Sequence, residues 1–246
     1  AMVVAKTAAA AQDAADKVVV ASEELSPVTD ARAAVKQGAP QLWPEAPGNI
    51  GFDWTAPPDP EGKKQAALER AFKEAAHVVR VELVNQRLVV ASLEARSATA
   101  SYDAAAKQFM LRVGTQGVAS VRGQIAGAMN IKPEELRLLT EDVGGAFGMK
   151  GWCYPEYVPM LHAARAIGKP IHWASTRSEA FVTDNQGRDS FWTVELALNS
   201  RGRFQALRVD CIGNLGAYFT GVAHFVFTTH VSGCLPTVYD IPHAQV

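Results

Sequence analysis

The stretch from Asp142 to Gly151 has the residue types most suited to binding chemistry. Four glycines lie between Gly144 and Gly151, and glycine permits positive φ and a close approach of the backbone to a ligand. The apolar run at 136–139 predicts a strand before this stretch, and the run at 154–167 predicts a helix after it. Unpaired N–H groups that open such a helix lie at the positive end of its dipole and suit an anion, most often a phosphate.

The glycine stretch does not match the common phosphate-binding motifs. It lacks the Gly-Lys-Ser/Thr ending of a P-loop, and its glycines do not have the G-x-G-x-x-G spacing of a dinucleotide-binding turn. A tight structural turn is therefore the alternative to an anion site. A nucleotide-binding enzyme of another kind is a third interpretation, and it predicts phosphate binding at 144–148 without a metal.

A second candidate is Gln116, which lies in the turn-like sequence Gly114-Thr115-Gln116-Gly117 after an apolar run. Its carboxamide both donates and accepts hydrogen bonds and does not titrate. Such a group stabilises charge on an oxygen atom without protonating it. The alternative is a surface turn residue with no part in chemistry.

Several charged residues could support a site. Glu94 and Arg96 lie two residues apart in a β-rich run, where such positions share a face. A structural ion pair between them is expected, with a substrate role as the alternative. Four more residues are expected to be paired in loops and to brace a pocket: Arg177, Glu179, Arg188 and Asp189.

The elements that must position these residues predict an α+β chain. Helices are expected at 8–15 (capped by Thr7), 61–76, 118–129 and 154–167. Strands are expected at 2–5, 18–20, 78–83, 88–93, 109–113, 136–139, 171–174, 191–198 and 204–212, with a turn opening at 101–103 and a hairpin turn at 199–202.

The first 60 residues predict no complete domain. A strand at residues 2–5 would begin at the terminus and leave a sheet edge unpaired, so residues 1–26 are expected to be the tail of a domain. Residues 27–60 are rich in proline and are expected to be a linker. Its apolar residues are expected to pin it to the larger domain by packing: Leu42, Trp43, Phe52 and Trp54.

Composition excludes some classes of function. The 246 residues carry a net charge of −1, which implies no strong attraction to nucleic acid or to a membrane surface. No apolar run approaches the ~18 residues of a membrane span, and no signal peptide is visible. The three cysteines are widely spaced without C-x-x-C, which supports neither zinc, an iron–sulfur cluster nor a disulfide framework. A reducing compartment, the cytoplasm, is the expected location.

The segment Val143 to Lys150 resembles the G-G-G-F-G-x-K signature of the molybdenum-binding large subunit of the xanthine dehydrogenase / aldehyde oxidase / carbon monoxide dehydrogenase family. Ala146 replaces a glycine that is common there. The resemblance covers essentially the whole chain. The other family segments occur in family order: 93–96 (with Ala95 where proline is usual), 115–117, 168–171, 176–179, 187–189, 214–218 and 239–242.

The resemblance implies roles for particular residues. Gln116 matches the glutamine whose amide hydrogen-bonds an oxo ligand of molybdenum. Gly144, Gly145, Ala146, Phe147 and Gly148 match the segment whose backbone N–H groups contact the metal's oxygen ligand and the dithiolene–phosphate part of the pterin.

Gln116 and Phe147 are therefore the expected catalytic residues, and no residue of this chain is expected to ligate the metal directly. Phe147 would form a wall of the substrate pocket, with a core phenylalanine under the turn as the alternative. Alanine at 146 requires a negative φ there.

The residue after the motif lysine is informative about substrate. In purine-oxidising relatives a glutamate stands there, whereas Gly151 offers no side chain, so the resemblance argues against xanthine. The segment 154–157 resembles the branch related to carbon monoxide dehydrogenase. An aldehyde, an N-heterocycle or a substrate of the CO type is expected.

The resemblance also implies cofactors, partners and a domain division. The cofactor would be molybdenum–molybdopterin cytosine dinucleotide, with [2Fe-2S] on an iron–sulfur small subunit and FAD on a medium subunit. Residues 1–26 would be the tail of the α/β hammerhead domain, 27–60 a linker, and 61–246 most of the first molybdopterin-binding domain, with mixed sheets and flanking helices, incomplete at its C-terminal end.

The family's glutamate base, in a G-x-G-E context, has no counterpart in this sequence. Half of the cofactor cage is expected to come from the remainder of the large subunit. We therefore expect a fragment of a molybdenum hydroxylase that is inactive by itself. The alternative is a non-catalytic assembly or cofactor-binding module that keeps the fold.

Overall fold

The computed structural model describes residues 1–246. Its helices are α1 Ala8–Ala15, α2 Ala31–Ala34, α3 Lys63–Glu74, α4 Val118–Met129, α5 Tyr157–Ile167, α6 Arg177–Thr183, α7 Ala223–Phe225 and α8 Val231–Cys234. Its strands are β1 His77–Asn85, β2 Ser97–Asp103, β3 Gln108–Val113, β4 Leu136–Leu139, β5 Ile171–Ala174, β6 Ser190–Leu198, β7 Phe204–Gly213 and β8 His243–Gln245. None of the helices combines the length and the apolarity that crossing a bilayer requires.

The chain divides into two compact units, residues 1–24 with 89–186 and residues 25–88 with 187–246. The first unit contains a mixed sheet in the order β4-β3-β2-β5, in which only β3 and β4 run parallel. Helices α4 and α5 pack on this sheet, and the buried side chains between them include Leu111, Ile125 and Leu161. Burying each such side chain contributes about 1.5–3 kcal/mol. This core fixes the sheet whose strand ends carry the candidate site.

Local signals set the ends of these helices as predicted. Thr7 caps α1 by accepting a hydrogen bond from the Ala10 N–H at 3.2 Å. Asn130 ends α4 with φ of 53°, and Gly168 ends α5 with φ of 66°, both left-handed conformations that terminate a helix. Helix α5 begins at Tyr157, three residues later than expected.

The second unit contains a mixed sheet in the order β1-β6-β7-β8, in which only β7 and β8 run parallel. Helix α3 packs Leu68 against Ala197 and Ala206 on one face of the sheet. The predicted hairpin between β6 and β7 is confirmed, with Gly202 at a φ of +75°.

Two aromatic residues of segment 27–60, Trp43 and Phe52, pack as expected. Trp43 donates its indole N–H to the Ala217 carbonyl at 2.7 Å, and its ring lies edge-on to Tyr218. Phe52 stacks on His224 and contacts Phe219. These contacts hold an irregular segment against the second unit.

Three of the expected strands were wrong. Residues 2–5 and 18–20 form no strand, because no other segment pairs with them, and Val19 is 92% exposed. In the run 88–93, Leu88 makes a single bridge with Gly187, and a positive φ of 49° at Ala91 breaks the extended conformation. The turn expected at residues 101–103 is instead the end of β2, and Asp103 caps the turn that follows.

The α+β fold class, with two mixed sheets and flanking helices, is confirmed. The division into a hammerhead tail, a linker and a binding domain stays a prediction.

Candidate functional site

The topology of the first unit brings three connecting segments to one edge of its sheet. Strands β3 and β4 are parallel neighbours, so the segments 114–117 and 140–151 that follow them leave from the same edge. Strand β2 runs antiparallel to β3, with Ala98 opposite Val113, so the segment 92–96 that precedes β2 lies at that edge too. Residues far apart in sequence can therefore form one site.

The glycine stretch uses its glycines for two different reasons. Gly145 and Gly148 take φ values of +98° and +91°, which other residues rarely adopt. Gly144 is needed for space, because an added Cβ would lie 2.6 Å from the Glu94 Cβ atom. Ala146 does not take a positive φ, so alanine is compatible with this position.

Phe147 combines backbone strain with exposure. Its φ is +48° and its side chain is 79% exposed. The alternative of a core phenylalanine under the turn is therefore wrong, because most of the side chain is exposed. Strained conformations persist where the surroundings enforce them and often occur at ligand sites.

Gln116 lies directly against the glycine stretch. The Gly148 N–H donates to the Gln116 Oε1 at 2.9 Å. The Lys150 carbonyl accepts from the Gln116 N–H at 3.2 Å and from the Thr115 hydroxyl at 2.8 Å. The side-chain NH₂ of Gln116 donates to no protein atom. The structure thus brings together the two segments that the sequence selected.

The middle of the glycine stretch offers a row of free donors. The N–H groups of Gly145, Ala146 and Phe147 donate to no protein acceptor. From the sequence, these free N–H groups were expected to open a helix and to lie at the positive end of its dipole. That expectation was wrong, because no helix begins at these residues. The stretch continues into a short 3₁₀ turn at Met149–Gly151, and α5 begins only at Tyr157.

A buried lysine fixes one side of this stretch. The Lys150 side chain is 1% exposed, and its ammonium donates to the Glu94 carboxylate at 2.8 Å and to the Glu94 carbonyl at 2.9 Å. The same carboxylate accepts the Gly144 N–H at 2.8 Å. The hydrogen bond from Lys150 lowers the pKa of Glu94 against the opposing effect of burial, and the Gly144 N–H lowers it further. We call Glu94, Lys150 and the Gly144 N–H the clasp.

The expected ion pair between Glu94 and Arg96 was wrong, because each finds a partner in another segment. The Arg96 guanidinium is buried and donates to Asp184 at 2.6 Å and to both Glu156 oxygens at 2.9 and 3.0 Å. It also lies 3.6 Å from the centre of the Tyr154 ring. Burial alone lowers the pKa of Arg96, but these hydrogen bonds raise it above its ordinary value.

Tyr154 connects this cluster to the 3₁₀ turn. Its hydroxyl donates to the Met149 carbonyl at 3.0 Å and accepts the Asn185 N–H at 3.2 Å. Burial raises the pKa of Tyr154 to about 12, so the phenol stays a neutral donor. The position of the turn therefore depends on Tyr154.

The four remaining charged candidates are divided between the two units. Arg177 and Glu179 lie on α6, where Arg177 donates to the Leu93 carbonyl at 2.7 Å and Glu179 completes a capping box with Thr176. Arg188 and Asp189 belong to the other unit, in which Asp189 pairs with Arg87 and accepts from Asn214. Arg177 and Glu179 are therefore helical rather than loop residues, which corrects that part of the expectation, whereas Asp189 is a charge-paired loop residue as expected. That the four residues brace a pocket stays a prediction.

A loop of free backbone amides beside a carboxamide, at the edge of a mixed sheet with flanking helices, suits a binding domain for oxygen-rich groups. The sequence profile described as "Molybdopterin cofactor-binding domain" matches residues 43–246. The chain belongs to this family.

Similar proteins are large subunits of molybdenum hydroxylases. The large subunit of nicotine 6-hydroxylase from Paenarthrobacter nicotinovorans is 30% identical, over 99% of this chain and 29% of that protein. The carbon monoxide dehydrogenase large chain of Hydrogenophaga pseudoflava is 28% identical, over 100% of this chain and 31% of that protein. The crystal structure of quinoline 2-oxidoreductase from Pseudomonas putida 86 superposes with a TM-score of 0.86 at 29% identity, over 98% of this chain and 30% of that one. The chain thus spans about a third of the length of these relatives.

The donor set of the site fits a molybdopterin cofactor. The phosphate and metal-bound oxygens of such a cofactor accept hydrogen bonds, and the free groups here are donors: three consecutive amides and the Gln116 NH₂. Gly144, Gly145 and Gly148 carry no side chains that would keep a ligand from the backbone.

Proposed function

We propose that this chain is part of the large subunit of a molybdenum hydroxylase, which inserts an oxygen atom from water into a small organic substrate or CO. The observation that carries the proposal is the hydrogen bond between Gln116 and Gly148, since it joins the residue with the free carboxamide donor to the segment with the free amides at 145–147. In this family such donors hold the oxygens of the cofactor. The family membership and the fit of the donor set support the assignment.

The residues of this chain act by binding and orientation. The Gln116 NH₂ and the amides at 145–147 hold the acceptor oxygens of the cofactor, and their donors are in place before binding. Phe147 lines the space beside them as an apolar wall. The cofactor, when bound, supplies the two-electron oxidation of the substrate. We propose that the catalytic base comes from the remainder of the subunit.

The substrate class follows from the relatives and from one missing side chain. Two relatives are named for nicotine and quinoline, which are N-heterocycles, and another for carbon monoxide. Gly151 stands where a purine-binding glutamate would be needed, so we propose an N-heterocycle, an aldehyde or CO rather than xanthine.

The complete assembly would contain further components. We propose that the cofactor is the cytosine dinucleotide form, with [2Fe-2S] on a small subunit and FAD on a medium subunit that carry electrons away. The chain without these partners is proposed to be inactive. Its three free cysteines favour a reducing compartment, and we propose the cytoplasm.

The test is to purify the complete large subunit together with the products of its neighbouring genes and to measure molybdenum content and dye reduction. We expect stoichiometric molybdenum and reduction of the dye with an aldehyde or an N-heterocycle. Gln116→Ala should lower activity at least tenfold, because it removes a donor to the reacting centre. Gln108→Ala is the matched control, because that amide only donates to the Glu134 carbonyl in the same unit.

A stable complex that contains no molybdenum would support the non-catalytic module instead. Equal activity of the Gln116→Ala and Gln108→Ala variants would refute the role of Gln116.

A further inference from the structure

Glu94 places a negative charge inside the candidate site. An added Cβ at Gly144 would lie 2.6 Å from the Glu94 Cβ atom, and one at Gly114 would lie 3.6 Å from the Glu94 Oε2 atom. Oε2 also accepts the Gly144 N–H at 2.8 Å. The carboxylate therefore lies against both the glycine stretch and the segment that carries Gln116, next to the free amides at 145–147.

A carboxylate at this place opposes the proposed ligand. The phosphate oxygens of a molybdopterin cofactor carry negative charge, and like charges repel more strongly at a site partly removed from water than in bulk water. The Glu94 side chain is 38% exposed, so salt and water screen its charge only in part. Without a balancing cation, Glu94 would weaken the binding that the free amides provide.

The exposed charges near Glu94 do not supply that balance. Asp142 begins the glycine stretch, and Arg177 donates to the Leu93 carbonyl at 2.7 Å. Both residues are exposed and their charges have opposite signs. Their long-range effects on a ligand therefore oppose each other and are screened by salt.

Lys150 balances the charge of Glu94 directly. Its ammonium lies 2.8 Å from Oε2, and its side chain is 1% exposed. Removing an ammonium from water is costly, and exchange of a buried ion pair for apolar groups is often neutral or stabilising. Stability alone therefore does not explain why a lysine rather than an apolar side chain occupies this position.

The other end of the free amides is held without charge as well. The Gly148 N–H donates to the neutral carboxamide oxygen of Gln116 at 2.9 Å. With Lys150 in place, the groups that hold Gly144 and Gly148 thus present no net charge to a ligand at 145–147.

We propose that Lys150 is a positioning residue for the anionic cofactor: it neutralises Glu94, so that the carboxylate can hold the Gly144 N–H without repelling the ligand. This inference rests on the proposed function. A carboxylate binds a backbone N–H more strongly than a neutral acceptor does. The pair therefore combines a firm hold on the stretch with zero net charge.

The test changes the charge of the pair in the complete complex described under the proposed function. Lys150→Met gives a net charge of −1, Glu94→Gln gives +1, and the double variant E94Q/K150M restores zero while glutamine keeps an oxygen for the Gly144 N–H. The measurement is the rate at which molybdenum is lost during dialysis. Lys150→Met should lose it about tenfold faster than wild type. The double variant should match wild type, and Glu94→Gln should be no faster than wild type.

A purely structural role of the pair predicts a different order. Glu94→Gln leaves the buried ammonium without an opposite charge, whereas Lys150→Met leaves a carboxylate that is partly exposed. Loss of the cofactor through instability would therefore be fastest in Glu94→Gln. Hydrogen exchange at the Leu111 amide measures the stability of each variant in the same unit. Added salt should reduce the excess loss in Lys150→Met, because it screens the repulsion.

Lys132→Met is the matched control. It removes the same charge by the same substitution from an exposed lysine in the same unit. Lys132 precedes β4, whereas the glycine stretch follows that strand, so the two lie at opposite ends of β4. This variant should retain molybdenum like wild type.

A second series uses inorganic phosphate as the probe, with the complex purified from cells grown without molybdate. Calorimetry should give a dissociation constant for phosphate that is about tenfold higher in Lys150→Met than in wild type and is restored in the double variant. A wild-type complex that never contains molybdenum would refute the proposed function, and the phosphate series then tests the role of Lys150 by itself.

The role of Lys150 is overturned if Lys150→Met retains molybdenum like wild type, or, in a complex without molybdenum, if both have the same affinity for phosphate. Faster loss in Glu94→Gln than in Lys150→Met would also overturn it. If Lys150→Met does not fold, Glu94→Gln is compared with the double variant. Retention in Glu94→Gln at least as long as in the double variant supports the proposal, and shorter retention overturns it.

Discussion

Removal of either member of the clasp should destabilise the first unit, but by different amounts. In Glu94→Ala the Lys150 ammonium, whose side chain is 1% exposed, keeps only the Glu94 backbone carbonyl as a protein partner. Leaving such a buried charge unpaired costs about 3–5 kcal/mol. In Lys150→Met the remaining carboxylate is 38% exposed and keeps the Gly144 N–H, so the cost is about 1–3 kcal/mol.

Native-state hydrogen exchange at the Leu111 amide measures this difference, because Leu111 lies in the buried centre of β3 in the same unit. The double variant E94A/K150M should cost less than the sum of the single variants, since no buried charge is left unpaired. Glu141→Ala is the control: it breaks an exposed pair with Arg112 and should cost less than about 1 kcal/mol. The reasoning is refuted if Glu94→Ala costs no more than Lys150→Met, or if the two effects are additive.

The clasp should also depend on pH. The pKa of Glu94 in the folded state lies below its ordinary value of about 4.5. Its stabilising effect is therefore complete above pH ~4.5 and is lost as the pH falls through the lowered pKa. The stability difference between wild type and Lys150→Met should be constant from about pH 6 to 8 and should narrow in more acidic solution. A difference that grows with acid would contradict this assignment.

Three further predictions concern single positions, with urea unfolding as the measurement for the first two. Gly144→Ala should lower the free energy of unfolding by about 2 kcal/mol, because the new Cβ would lie 2.6 Å from the Glu94 Cβ atom. The control is Gly151→Ala, whose new Cβ would have no atom within 4 Å and which should stay within about 0.5 kcal/mol of wild type. Phe147→Gly should be about 1 kcal/mol more stable than Phe147→Ala, because glycine adopts the positive φ at this position without strain and both variants lose the same exposed ring. Equal stabilities of the two variants would show that this position stores no backbone strain. Exposed Cys234 should react with a thiol reagent at about pH 8 well before Cys211, whose pKa burial raises to about 12, and the reverse order would contradict the burial of Cys211.

Local sequence signals predicted the parts of the fold that depend on neighbouring residues. The caps at Thr7, Asn130 and Gly168 and the turn at Gly202 need only a few adjacent residues, and all four were correct. The expected strand at residues 2–5 failed because a strand needs a partner, and no local pattern supplies one.

The meeting of Gln116 with Gly148 was predictable only through the family resemblance, because composition alone leaves both in ordinary turns. The clasp was missed because Glu94 and Lys150 are 56 residues apart in sequence. Arg96 likewise finds Glu156 and Asp184 at separations of 60 and 88 residues. Such pairs depend on which strand ends meet at one sheet edge, and that follows from the strand order rather than from the spacing of charges.

The hydrogen bonds of the glycine stretch argue against the alternative of a purely structural turn. A turn that serves only to reverse the chain often closes with a hydrogen bond between its own backbone groups. Before the 3₁₀ turn at Met149–Gly151, the stretch closes on itself through one backbone bond, from the Met149 N–H to the Ala146 carbonyl. The amides near the two ends of the stretch are held by side chains from other segments, Gly144 by Glu94 and Gly148 by Gln116. This arrangement fixes the ends and leaves the three central donors free, which a ligand requires and chain reversal does not.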